Sequence, residues 1–97
     1  MRYEILLAPE AIEDLKRLSA RERAIVWDAL EKHLRFEPDK VSKSRIKRLR
    51  GMRRPQYRLR VGEIRVFYDI TKNTVGVLAI VQKADAADWL AETGETK

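Results

Sequence analysis

The chain has 97 residues, 21 of them Lys or Arg against 15 Asp or Glu, a formal charge of +6, a single histidine and no cysteine. That length allows one domain, 1–97, and the missing thiols exclude disulfides and thiolate metal sites. No apolar stretch reaches membrane-span length, which with the absent cysteines gives a cytoplasmic setting as the expectation.

Tyr3, Ile5 and Leu7 alternate with Glu4 and Leu6 and predict a short opening strand. Pro9 suits a first helical turn, and Ala11, Ile12, Leu15 and Leu18 recur at helical spacing, so a short amphipathic helix ends near Leu18. Ser19 with Glu22 three residues on reads as a capping box. Ile25, Val26, Ala29, Leu30 and Leu34 then give a second apolar stripe, running to about Phe36 before Pro38. The two helices form a hairpin whose stripes need a sheet to cover.

Between Lys40 and Arg60 lie ten basic residues and no acidic one, whereas residues 1–39 and 61–97 each carry two more acids than bases. The positive charge is therefore local, as in a protein that grips phosphates. Up to Pro55 this segment shows little periodicity apart from Ile46, Leu49 and Met52, and it reads as a long, partly irregular connection. Its Lys47, Arg48, Arg53 and Arg54 are RNA-binding candidates.

From Gln56 the period becomes two. Tyr57, Leu59 and Val61 face one way, and Ile64, Val66, Tyr68 and Ile70 do so after Gly62-Glu63, a pair suited to a two-residue type II′ turn. Val75 to Val81 is apolar on both faces, as in a central strand. The tail from Ala84 holds Trp89 and Leu90 and is expected to fray after Gly94. The fold class is α+β in two layers, a helical hairpin on a mainly antiparallel four-stranded sheet.

The turn at Gly62-Glu63 pairs Arg60 with Arg65 and Arg58 with Phe67. Three arginines then share the face turned away from the helices, with Phe67 among them to stack on a base. Like charges directly opposite cost about 0.2–1 kcal/mol, which a fold tolerates most easily where an anion will sit. The same pattern also fits a solvated sheet face with arginine stems lying on the strands. His33 reads as a helix-packing or surface residue rather than a general acid. Trp27 and Trp89 fit partner contacts and edge packing equally, and Glu63 and Asp69 read as a base or as turn and salt-bridge residues. One histidine and scattered carboxylates offer no convergent metal-ligand set, and no cofactor motif is present.

Leu49-Arg50-Gly51-Met52, the strand Tyr57-Arg58-Leu59-Arg60-Val61 and the return strand Ile64-Arg65-Val66-Phe67-Tyr68 resemble the RelE/ParE superfamily of bacterial toxin–antitoxin toxins. The similarity extends over about residues 2–90. It implies a toxin held by a cognate antitoxin, either a metal-independent endoribonuclease cutting mRNA on the ribosome or a ParE-like inhibitor of DNA gyrase. By this resemblance Arg58, Arg60 and Arg65 are catalytic, Lys83 donates a proton or holds the phosphate, and Arg50 holds RNA backbone. Gln82-Lys83-Ala84 replaces the glycine-lysine-arginine ending frequent in the superfamily, and Leu90 stands about where an acid/base tyrosine is expected. Both departures point toward the gyrase alternative.

Overall fold

The opening alternation gives strand β1 (Glu4–Leu7), and Pro9 begins helix α1 (Pro9–Arg17). In the computed structural model, which describes residues 1–97, the capping box forms as predicted. The Glu22 N–H donates to Ser19 Oγ and the Ser19 N–H to Glu22 Oε1, each at 3.1 Å, fixing the start of α2 (Ala20–Leu34). Ala11 and Leu15 of α1 and Val26, Ala29, Leu30 and Leu34 of α2 are buried, while Ile12 and Ile25 of the predicted stripes stay exposed.

The helices cover one face of a five-stranded sheet in the order β1-β6-β5-β4-β2, with β1 parallel to β6 and all other pairs antiparallel. β4 (Tyr57–Val61), β5 (Ile64–Thr71) and β6 (Thr74–Gln82) are the strands expected from the period of two. Their pairing runs Val61 with Ile64, Arg60 with Arg65, Leu59 with Val66, Arg58 with Phe67 and Tyr57 with Tyr68. Gly62 takes φ +60 and Glu63 does not go positive, the combination a type II′ turn requires. Leu59, Val61, Ile64, Val66 and Tyr68 fill the core against the helices. Tyr68 anchors that layer, its hydroxyl donating to Pro38 O at 2.6 Å and its ring stacking on Tyr57.

Three features differ from the expectation. The basic segment is not wholly irregular, because Ile46–Arg48 forms the edge strand β2 and Met52–Arg54 forms β3. Ile46 is what anchors β2, buried against the core while its neighbours are exposed. The fifth strand follows from this. The tail also does not fray, because Lys83–Thr93 is a helix, α3, and Glu95–Thr96 is a short strand, β7, paired with β3 in a separate ribbon.

α3 buries no residue completely. It lies on the sheet face opposite α1 and α2, held by Trp89, whose ring stacks on Phe67 at 4.9 Å between centroids and 8° between planes. Residue β6 Leu78 has no partner on β5, since Phe67 pairs with Ala79 and Tyr68 with Val77. This bulge switches the strand's phase, so Val75, Val77 and Ile80 all reach the helix-side core. The apolar run on both faces thus serves two layers.

Loss of the Trp89 ring would uncover Phe67. Trp89→Ala is expected to destabilise the protein by about 1.5–3 kcal/mol, below a fully buried tryptophan because the ring is only partly covered. The melting temperature should fall by roughly 6–20 °C at this chain length, while Trp89→Phe loses much less. A Trp89→Ala melt superimposable on wild type would refute this account of how α3 is held.

Candidate nucleic-acid interface

Strand alternation turns Lys47, Arg58, Arg60, Arg65 and Phe67 to the face that α1 and α2 leave free, since Ile46, Leu59, Val66 and Tyr68 occupy the other. Across the strands Lys47 stands opposite Arg58, Arg58 opposite Phe67, and Arg60 opposite Arg65. Arg45, just before β2, accepts the Arg60 N–H at 2.8 Å through its carbonyl. With Ser44, Arg60 and Gly62 it lines an open cavity of about 340 Å³. None of Arg45, Lys47, Arg58, Arg60 and Arg65 has an ion-pair partner.

Arg58 is the strained member. Its Nε is sealed from solvent without a hydrogen-bond partner, and an unsatisfied buried donor costs about 1–3 kcal/mol. Its guanidinium is held below the usual arginine range by desolvation, then by Arg65 and Arg60. An anion bound between them would relieve the repulsion.

Two expectations about this face need correction. Arg65 is not open, being only 6% exposed, and its Nη1 donates to Gly62 O at 2.8 Å and Ile64 O at 3.1 Å. It curls back to brace the β4–β5 turn. Phe67 is not available to stack on a base, because Trp89 already covers it and leaves 1% of it exposed. The second follows from α3, which occupies ground read as an open tail.

The other predicted residues scatter. Lys83 is exposed at the start of α3, and its N–H donates to Glu63 O at 2.7 Å. It lines a cavity of about 530 Å³ with Glu63, Gln82 and Ala84, at the turn end of the arginine row. Arg48 shares the strand phase of buried Ile46, so it lies on the opposite face from Arg58; its guanidinium sits 5.1 Å from the Tyr57 ring centre and donates to Gln56 O at 2.8 Å. Arg53 and Arg54 are compensated by acids from distant parts of the chain, Glu95 at 2.8 Å and Asp69 at 3.0 Å. Asp69 also accepts the Gln56 N–H at 2.7 Å, making it a structural residue. Arg50 is exposed in the turn beside Gly51, whose φ is +75.

The carboxylate nearest the arginine row is Glu63, exposed beside Lys83 at its turn end. His33 lies on α2, its pKa lowered by burial, Arg45 and Lys32 against the opposing pull of Asp28. Burial, with Tyr57 and Asp39, pushes the Tyr68 hydroxyl far up, and its proton is engaged with Pro38 on the helix side. Trp27 is partly exposed on α2, in the layer on the other side of the sheet from the row. Sequence reasoning missed Arg45, although it stands two residues before Lys47 and so in step with that strand position.

The sequence matches, over residues 5–87, the family described as ParE toxin of type II toxin–antitoxin system, parDE. Similar solved structures include an archaeal RelE–RelB complex from Pyrococcus horikoshii, with a TM-score of 0.70, 21% identity and coverage of 86% of this chain and 97% of that one. A free RelE mutant from Escherichia coli has a TM-score of 0.70, 23% identity and coverage of 95% and 94%. The RelBE2 toxin–antitoxin complex from Mycobacterium tuberculosis has a TM-score of 0.67, 27% identity and coverage of 84% and 99%. No curated protein sequence matches. With a match spanning most of its length and the RelE fold around a free arginine row, the chain belongs to the ParE toxin family of type II toxin–antitoxin systems, within the RelE/ParE superfamily.

Proposed function

We propose that this toxin arrests translation as a metal-independent endoribonuclease that cuts mRNA on the ribosome in the cytoplasm. The observation that carries the reading is the row Lys47, Arg58 and Arg60, cationic and without ion pairs, centred on an arginine with a sealed, unbonded Nε. In RNA cleavage of this kind the ribose 2′-oxygen forms a bond to the adjacent phosphorus and the bond to the 5′-oxygen breaks. The 2′-proton leaves the attacking oxygen and a proton reaches the departing one. Arg58 and Arg60 suit the extra negative charge of the phosphorane, while Arg65, buried against the turn, holds the strand pair that positions them. Lys83, exposed at the turn end, suits the proton to the leaving oxygen. Glu63, exposed in the same cavity as Lys83, is the carboxylate available to take the 2′-proton, and the rest of the acceleration comes from orientation and electrostatics.

The similar structures from Pyrococcus horikoshii and Mycobacterium tuberculosis are complexes of toxin with antitoxin, which supports a cognate antitoxin for this chain. Such a partner is expected to offset the arginine row and cover apolar surface near Trp27. A second reading, inhibition of DNA gyrase by binding, is favoured by Ala84 and Leu90 standing where a nuclease arginine and tyrosine are expected and by α3 lying across Phe67.

Arg58→Ala and Arg60→Ala should each lower mRNA cleavage by about 10²-fold, the scale of losing one transition-state donor, with no loss of melting temperature, since Arg58→Ala also removes the unsatisfied donor. In cells expressing the wild-type protein, mRNA should be cut while plasmid supercoiling stays normal; intact mRNA with relaxed plasmid would instead establish the gyrase reading. For isolated single-stranded RNA, about four phosphate contacts predict a slope of log affinity against log salt near −3. A flat dependence would remove the phosphate grip.

A further inference from the structure

At the end of the β2–β4 ribbon away from Gly62, Arg50 and Gly51 turn the chain into β3, which is paired with the C-terminal strand β7. Met52 stands opposite Thr96 and Arg54 opposite Glu95, and the Lys97 N–H donates to Gly51 O at 3.1 Å. The strap is built at close quarters, since a Cβ on Gly94 would lie 2.5 Å from Met52 Cε and 2.6 Å from Leu90 O. Only glycine fits there without a shift. From this strap Glu95 Oε1 reaches Arg53 Nη2 at 2.8 Å, and Arg50 beside it has no ion-pair partner.

A carboxylate, like a phosphate, offers a guanidinium a pair of anionic oxygens. Both side chains are largely exposed, 70% for Arg53 and 47% for Glu95, so the pair is weak, and a two-stranded ribbon is marginal by itself. Arg53 is five residues from Arg58, at most about 18 Å along the chain, so a short nucleic-acid strand held at Arg58 reaches it.

We propose that Arg53, with Arg50 beside it, is an outlying phosphate subsite of the nucleic-acid interface, and that Glu95 occupies it in the resting chain as an internal stand-in for phosphate. The strap and the nucleic acid then compete for one guanidinium, and binding beyond the Arg58 row requires β7 to release Arg53. This rests on the RNA-binding reading above.

The test measures binding of an eight-nucleotide single-stranded RNA by the full chain at low salt. Glu95→Gln, which keeps size and removes charge, and Thr96→Pro, which breaks the β3–β7 pairing, should each tighten binding three- to tenfold. In an Arg53→Ala background the gain from Glu95→Gln should vanish, because the two changes act on one contact. A gain of equal size with and without Arg53 would reduce Glu95 to a general charge effect and overturn the subsite. Wild-type binding with unaltered affinity in both variants would overturn it while leaving the RNA reading intact. If wild type fails to bind, binding by the variants upholds the subsite as fully blocked, and failure of all three removes both readings.

Discussion

Everything on the working face depends on the register of one hairpin. In a strand successive side chains point to opposite faces, so a slip of β4 by one residue against β5 would send Arg58 and Arg60 toward the helices and Leu59 and Val61 into water, leaving Arg65 alone on the outer face. The positive φ of Gly62 fixes the two-residue turn, the bonds from Arg65 to Gly62 O and Ile64 O brace it from one side, and the Lys83 N–H on Glu63 O ties it to the start of α3. Arg65 contributes as much to this geometry as to the charge of the row. The core and the row are two readings of the same alternation.

The electrostatics are less lopsided than ten bases in a row suggest. Glu37, Asp69 and Glu95 pair with Lys40, Arg54 and Arg53, at 3.9, 3.0 and 2.8 Å. These acids come from α2's exit, β5 and β7, and what they leave bare is concentrated on β2 and β4. Exposed pairs of this kind contribute little stability. Their effect is to focus the field on Lys47, Arg58 and Arg60.

The sequence made the hairpin, its register, the capping box at Ser19 and the arginine row legible, because each follows from local spacing or turn chemistry. The contacts of α3 were not legible. Its residues from Lys83 to Thr93 have no strong apolar stripe, and what places the helix is a single stack between Trp89 and Phe67, residues far apart in the chain. Without that stack Phe67 looks open. The strands β2 and β3 were missed for a related reason: each is three residues long, and one is defined by Ile46 reaching the core and the other by a partner over forty residues away. The ion pairs of Arg53 and Arg54 likewise depend on tertiary placement, which a charge count by segment cannot show.

Leu78 has a reach larger than its own contacts. As the unpaired residue of β6 it resets which face every later side chain of the strand looks toward. Drawn into the ladder opposite Phe67, it would push Ile80 out of the core and deliver Lys83 and all of α3 one residue out of step with the Gly62 turn. The irregularity therefore acts as a phase shifter. It lets one strand satisfy a core whose packing is set before it and an arginine face whose cover comes after it, so those two surfaces stay in step as long as Leu78 stands outside the ladder.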